Sequence, residues 1–383
     1  MAGNPMKRRK ILWSGLGLVA LAALVGAGWI MSLPPTPVLA AAPPIPAVEA
    51  AATLEALRPP KRARPVVAVI GINDATETTD YLMPYGILKR ADVAEVMLLA
   101  TGPGPVRLYP ALTVEPQATT ATFDARYPGG ADYVIVPAMS RDDDPAALAW
   151  IRAQRDKGAT VIGVCAGALV VAETGLLDGK RATTHWFFLK ALRKDHPGVR
   201  YVPDRRIVVD GGVATTTGIT ASMPMALTLI EAIAGREKAG AVAREIGLAD
   251  WDARHNSAAF RFSRPFATTV LGNVMSFWKR ERLGLELTPG MDEVSLALAA
   301  DGWSRTYRSR AVTLAAGPVT TANGVRVLPD ETGVDWPEAR RLPAVGGRAP
   351  ALALDETLRG IEDRYGARTR DVVAMQLEYR GRR

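Results

Sequence analysis

From Pro65 onward, apolar and polar positions alternate between two kinds of run. Val66–Ile72 is wholly apolar, as expected of a parallel strand buried on both faces. Tyr81–Arg90 has the spacing of a helix, Ala94–Ala100 reads as the next strand, and Val106–Val114 as a short hairpin. Asp132–Pro137 (DYVIVP) is a further central strand, and Pro145–Lys157 a helix capped by Asp143 or Asp144 with proline in its first turn. A β-branched run, Thr160–Val164, leads into a helix-compatible segment, Leu169–Glu173. Strands alternating with helices predict right-handed crossovers and an α/β three-layer sandwich with a mainly parallel sheet. Such sheets carry their working residues at the carboxyl ends of strands.

The pattern before Pro65 differs. Lys7, Arg8, Arg9 and Lys10 precede an uncharged apolar run from Ile11 to Leu33, long enough for a helix to cross a bilayer of about 30 Å. Charge on one side only predicts a cytoplasmic tail at 1–10, a transmembrane helix or signal anchor at 11–33, and a body held outside the cytoplasm by a single pass through the inner membrane. A cleaved leader ending near Val38–Leu39–Ala40 is the rival reading. Residues 34–64, rich in proline and alanine, predict a semi-rigid linker interrupted by a short helix from Ala47 to Leu57.

Composition narrows the chemistry. With 48% hydrophobic and 22% charged residues in 383, the chain has an ordinary globular make-up. The net charge of +8 comes from arginines scattered among acids, with no basic block, so no nucleic-acid partner is predicted. One cysteine excludes an intramolecular disulfide framework. His185, His196 and His255 have no metal-ligand spacing with it or with each other, so no metal is predicted.

That cysteine, Cys165, ends the strand Thr160–Val164 and is followed by Ala166, Gly167 and Ala168. Strand, small-residue turn and helix around one reactive side chain is the pattern of a nucleophile elbow, and the helix behind it favours the thiolate. A buried core cysteine is the plain alternative. Asp80, beyond the first strand, and His185, in RATTHW after a short strand at Lys180–Thr183, can reach the same sheet edge. Carboxylate, thiol and imidazole together would make an activated nucleophile. Taken singly, Asp80 would cap the helix starting at Tyr81, His185 would pack beside Trp186, and His196 lies in a polar surface turn.

The run VIGVCAGALVVAETGLLDGKRATTHW, with His185 twenty positions after Cys165 and Asp80 four before Pro84, resembles the ThiJ/PfpI family of the class I glutamine amidotransferase-like superfamily. Within it the chain resembles the sensor domains of AraC-type regulators and the isonitrile hydratases, over about Val66–Phe262. Thr215–Glu231 resembles the family's late strand, glycine turn and helix. The resemblance implies a flavodoxin-like sandwich over 65–262, Cys165 as nucleophile with Asp80 hydrogen-bonded to it and His185 nearby, and no cofactor. It also implies an oxyanion site built from Ala166 and the backbone at Ala138 and Met139, where the family carries a Gly-Gly pair. Ala166 stands where isonitrile hydratases have threonine, and no helix-turn-helix pair follows Phe262.

The remainder echoes the first domain. Residues 263–287 read as a bridging helix, Phe266–Arg282, and 288–383 as a shortened α/β copy. Asp80, MLLATGPGPVRL and LTVEP correspond to Asp292 or Glu293, VTLAAGPVTT and VRVLP; TLRGIEDRYGARTRDVVAMQLEY resembles LTLIEAIAGREKAGAVAREIGL. This copy lacks the elbow, the cysteine and the histidine. It is expected to cover the active rim, to mimic the family's dimer contact within one chain or support a homodimer, or to bind a partner. Two functions follow: a membrane-anchored module that binds or senses a small molecule or stress, or a cysteine-dependent hydrolase, hydratase or lyase for a small electrophilic or amide-like substrate.

Overall fold

The computed structural model describes residue 21 and residues 24–36, 41–333 and 335–381. In chain order it gives α1 (Ala47–Ala56), β1 (Val66–Gly71), β2 (Asp74–Glu77), α2 (Thr78–Ala91), β3 (Glu95–Ala100), β4 (Val106–Tyr109), β5 (Thr113–Glu115), β6 (Ala118–Thr119), α3 (Thr120–Arg126), β7 (Tyr133–Val136), α4 (Pro145–Asp156), β8 (Thr160–Gly163) and α5 (Gly167–Glu173). There follow β9 (Arg181–Ala182), α6 (Leu189–Asp195), β10 (Arg200–Tyr201), β11 (Ile207–Asp210), β12 (Val213–Thr216), α7 (Ser222–Ile246) and α8 (Arg264–Met275). The last part holds β13 (Glu281–Glu286), α9 (Glu293–Ser304), β14 (Ser309–Leu314), β15 (Val319–Thr320), β16 (Arg326–Leu328), α10 (Ala353–Tyr365) and α11 (Ala367–Gln376).

The central sheet runs β11-β12-β8-β7-β1-β3-β6, parallel throughout except for β11 against β12. Because strand side chains alternate, β1 feeds two cores: Val67 and Val69 pack with α2 and α7, while Val66, Ala68 and Ile70 pack with α4 and α5. This is the expected three-layer sandwich. Asp144 is the cap of α4, accepting the Ala147 N–H at 3.0 Å with Pro145 inside the first turn.

Three expectations change. Among the described residues no helix is long and apolar enough to cross a membrane, which overturns the transmembrane span and the single-pass, extracytoplasmic placement built on it. Residues 1–20, with the basic tail and much of that run, lie outside the described residues. The described end of the run leans on the body instead: the Trp29 and Phe262 rings are 5.7 Å apart, and Arg264 Nη2 donates to the Met31 carbonyl at 2.6 Å. The proline-rich linker is likewise docked in part. Its helix α1 forms as expected, Glu49 pairs with Arg205, and the Leu57 carbonyl accepts the Tyr133 hydroxyl at 2.7 Å.

The bridging segment also divides. The helix ends at Met275, and 281–286 form β13, whose Leu283, Gly284 and Leu285 are buried between exposed Arg282 and Glu286. β13 pairs in parallel with β14, and β16 pairs antiparallel with β5, so the C-terminal lobe and the main domain share a five-stranded sheet, β15-β16-β5-β4-β2.

The turn from β8 into α5 is pressed against β7. A Cβ at Gly167 would overlap the Val136 carbonyl oxygen and lie 2.8 Å from the Pro137 carbonyl carbon, both backbone atoms that cannot step aside. Gly167→Ala is therefore expected to destabilise the fold by about 3 kcal/mol, measured by denaturant unfolding against wild type.

Candidate active site at the Cys165 elbow

Cys165 leaves β8 in the left-handed region, at φ 57°, a conformation that a side-chain-bearing residue adopts only when its surroundings hold it there. Here the Thr216 hydroxyl oxygen accepts the Cys165 N–H at 3.1 Å, and the Thr184 hydroxyl donates to the Cys165 carbonyl at 3.0 Å. The neighbouring Ala166 N–H favours the thiolate.

The structure brings Asp80 near this point, but without the expected hydrogen bond to Cys165. The side chain that caps α2 is Glu77: its carboxylate accepts the Asp80 N–H at 2.6 Å and the Thr79 hydroxyl at 2.8 Å. Asp80 is thereby released from capping and turned inward, fully buried. Its Oδ2 accepts the Ala138 N–H at 3.2 Å, while its Oδ1 has no hydrogen-bond partner among the described residues. The other oxygen of Glu77 meets Arg305 at 2.7 Å, and Arg305 also holds Asp301 at 2.8 Å. Arg305 and Asp301 come from the C-terminal lobe.

Burial governs the protonation states. It raises Asp80 well above the usual carboxyl range, with the Glu77 charge adding to it. Burial, with Asp301 beside it, pushes Glu77 up to about 7, against the pull of Arg305. Of the pair, Glu77 is the carboxylate, because it has a guanidinium and two further donors, and Asp80 is the acid. The Cys165 thiol is pushed up by burial, then by Asp80, Glu77 and Glu378. The expected thiolate-favouring helix is only 7 residues long, too weak to outweigh burial and three carboxyl groups.

His185 is close by but otherwise engaged. Its Nε2 donates to the Gln376 carbonyl at 2.8 Å, and its Nδ1 accepts the Phe187 N–H at 3.2 Å. Burial pushes it down to about 4, so it is neutral with both nitrogens occupied. Met139 forms an antiparallel bridge to Thr76, and the Glu77 N–H donates to the Ala138 carbonyl at 2.8 Å. Neither Ala138 nor Met139 has a positive φ, so the backbone here does not need glycine. The Ala138 N–H is occupied by Asp80 instead of facing an empty oxyanion position. His196 meets Glu173 at 3.3 Å, away from the site.

Cys165 and Ala166 lie on the floor of a cavity of about 600 Å³. Tyr109, Trp186, Phe187, Phe188, Phe262 and Phe266 form much of its wall, and Glu77, Arg305 and Gln376 reach it too. Glu77, Arg305 and Glu378 were not legible as site residues. Glu77 ends the short β2 and Arg305 follows the last turn of α9, and nothing in the one-dimensional pattern joins them. Glu378 accepts the Trp186 and Gly218 N–H groups at 2.7 and 2.8 Å, and so seals the C-terminus over the His185 loop.

A parallel sandwich with a strained cysteine at a strand end and a buried acid beside it defines the class of nucleophile-elbow α/β proteins. Residues 66–232 match the DJ-1/PfpI family, and the chain belongs to that family. It is 35% identical over 168 residues to an isonitrile hydratase of Pseudomonas putida, covering 42% of this chain and 68% of that one. It is 36% identical over 104 residues to the HTH-type transcriptional regulator CdhR of Pseudomonas aeruginosa, covering 27% of this chain and 31% of the regulator. Among solved structures, Drosophila melanogaster DJ-1beta is 22% identical with a TM-score of 0.44, covering 49% of this chain and 100% of that one.

The raised thiol has a measurable consequence. Iodoacetamide alkylation of Cys165 is expected to stay slow at pH 7 and to rise with a midpoint above the ordinary thiol value of about 8.5. Glu77→Gln removes a nearby negative charge and is expected to move that midpoint down. A midpoint below 8 in wild type would contradict the assignment.

Proposed function

We propose that the chain is a small-molecule-binding module whose cavity presents Cys165 to a neutral, apolar ligand. The observation that carries this reading is the wall of aromatic side chains, Tyr307 among them, beside Cys165 and Ala166. Charge sets the ligand class. Glu77, Asp80 and Asp301 face one guanidinium, so an anionic ligand would enter a site already rich in carboxyl groups. Desolvating a cation there would also be costly without a free carboxylate to receive it. The kinship with a regulator that carries this domain type supports a sensing role.

Turnover is the second reading, supported by the unpartnered Asp80 Oδ1 and by the similarity to an isonitrile hydratase. The thiol would add across an isonitrile carbon, forming the S–C bond and leaving its hydrogen on that carbon. Water would then replace sulfur to give a formamide and restore the thiol. Asp80, as the acid, would move the proton on the ligand nitrogen.

Phenyl isonitrile and benzoate separate these readings. Phenyl isonitrile is expected to protect Cys165 from iodoacetamide at least about tenfold better than benzoate does. Equal protection by both, or none by either, would overturn the binding reading. Phenylformamide accumulating beyond one equivalent, and absent with Cys165→Ala, would move the assignment from binding to catalysis.

A further inference from the structure

The C-terminal lobe repeats most of the first half of the main domain. Leaving out the short β2, which has no counterpart, β1–α2–β3–β4–β5 is followed, later in the chain, by β13–α9–β14–β15–β16. In each set the first and third elements pair in parallel, and the helix between them packs alongside. The positions correspond as well: 318 − 105 and 329 − 116 both equal 213 for the paired prolines, and the same offset relates Gly71 to Gly284, Asp80 to Glu293 and Val114 to Val327. Further on, α7 is broken at Gly235, at φ 86° and ψ 166°, and the α10–α11 junction is broken at Gly366, at φ 85° and ψ 161°. Two independent helices with the same glycine kink are not explained by a common hydrophobic pattern.

Equivalent elements also meet each other. α2 packs on α9 so closely that a Cβ at Gly86 would lie 2.9 Å from Val294 Cγ2, and Arg90 pairs with Asp292. β5 pairs with β16 so that Val114 faces Val327, its own counterpart. The flanking pairs, Glu115 with Arg326 and Thr113 with Leu328, exchange under the offset of 213. A two-fold axis between Val114 and Val327 requires this arrangement, and it is the signature of an isologous contact between copies of one surface.

We infer that residues 281–381 are a fused, degenerate second subunit that occupies the two-fold face of the main domain, and that Arg305 from this half is the positioning residue that holds Glu77 against Asp80 at the Cys165 site. The half-copy has no elbow, so the chain has one site with a built-in partner. Arg305 acts through Glu77: guanidinium to carboxylate at 2.7 Å, carboxylate to the Asp80 N–H at 2.6 Å, and Asp80 to the Ala138 N–H at 3.2 Å. Asp301 orients Arg305 from the same helix, one turn earlier. The ionisable groups facing Cys165 are Asp80 and Glu77 from the α2 start, and Arg305 and Glu378 from the fused half; His185 faces the C-terminus. This inference rests on pairing and ion-pair geometry, and it stands whether the cavity's ligand is bound or turned over.

Two measurements on the full chain test it without any ligand. In a Cys165→Ser background, Val114→Cys together with Val327→Cys is expected to form an intrachain disulfide under diamide, while Val114→Cys alone stays reduced. A two-fold homodimer through this face would instead set Val114 against its own copy. An interchain disulfide in the single variant would therefore overturn the fused-subunit assignment. With Cys165 intact, Arg305→Gln is expected to raise the alkylation midpoint by about one pH unit, because a cation near the thiol is lost. Arg305→Lys is expected to restore most of the shift. Should Arg305→Gln not fold, Asp301→Asn frees Arg305 for Glu77 and is expected to lower the midpoint. An unchanged midpoint in the folded variants would overturn the positioning role.

Discussion

Glu77, Asp80 and Asp301 are all buried, and the Arg305 guanidinium near them pairs with Glu77 and Asp301 but not with Asp80. Three buried carboxylates with one cation are electrostatically untenable if all are charged, so at least one must carry a proton. The hydrogen bonds decide which. Glu77 collects the guanidinium, a backbone N–H and a hydroxyl, whereas Asp80 has one N–H and a bare oxygen. The protonated acid thus lies at the elbow and the fixed charge one shell behind it. This division bears on the thiol's state and ties the site to the C-terminal half.

Much of the sandwich could be read from the sequence. The all-apolar Val66–Ile72, the DYVIVP strand and the Asp144–Pro145 helix start each have one local physical cause, and the structure places them as expected. The Cys165 elbow was legible for the same reason, since small residues on both sides leave few conformations. What failed depends on contacts remote in sequence. The thiol's protonation is set by groups at positions 77, 80 and 378, and His185 is tied up by the carbonyl of Gln376, 191 positions away. The stretch 263–287 misled because aromatic and basic residues at near-helical spacing also suit a surface turn followed by a short strand. The apolar run at 11–33 satisfied a length and charge criterion for spanning a bilayer, a criterion blind to the docking of its end on Phe262 and Arg264.

The second half was visible as an echo but not as a symmetry. Matching prolines 213 apart mark a recurring pattern, and the proposal that the two parts face each other came only from the pairing of Val114 with Val327. A sequence repeat is silent about whether its copies stack, separate or embrace.

The β5–β16 ladder also bears on how the site responds to dilution. When a second polypeptide completes a site, its assembly follows mass action and falls away as protein becomes scarce. Here the completing strand and Arg305 are tethered to the same backbone, so closure is unimolecular and the effective concentration is fixed by the connecting chain. A single molecule in a cell would carry a fully formed site.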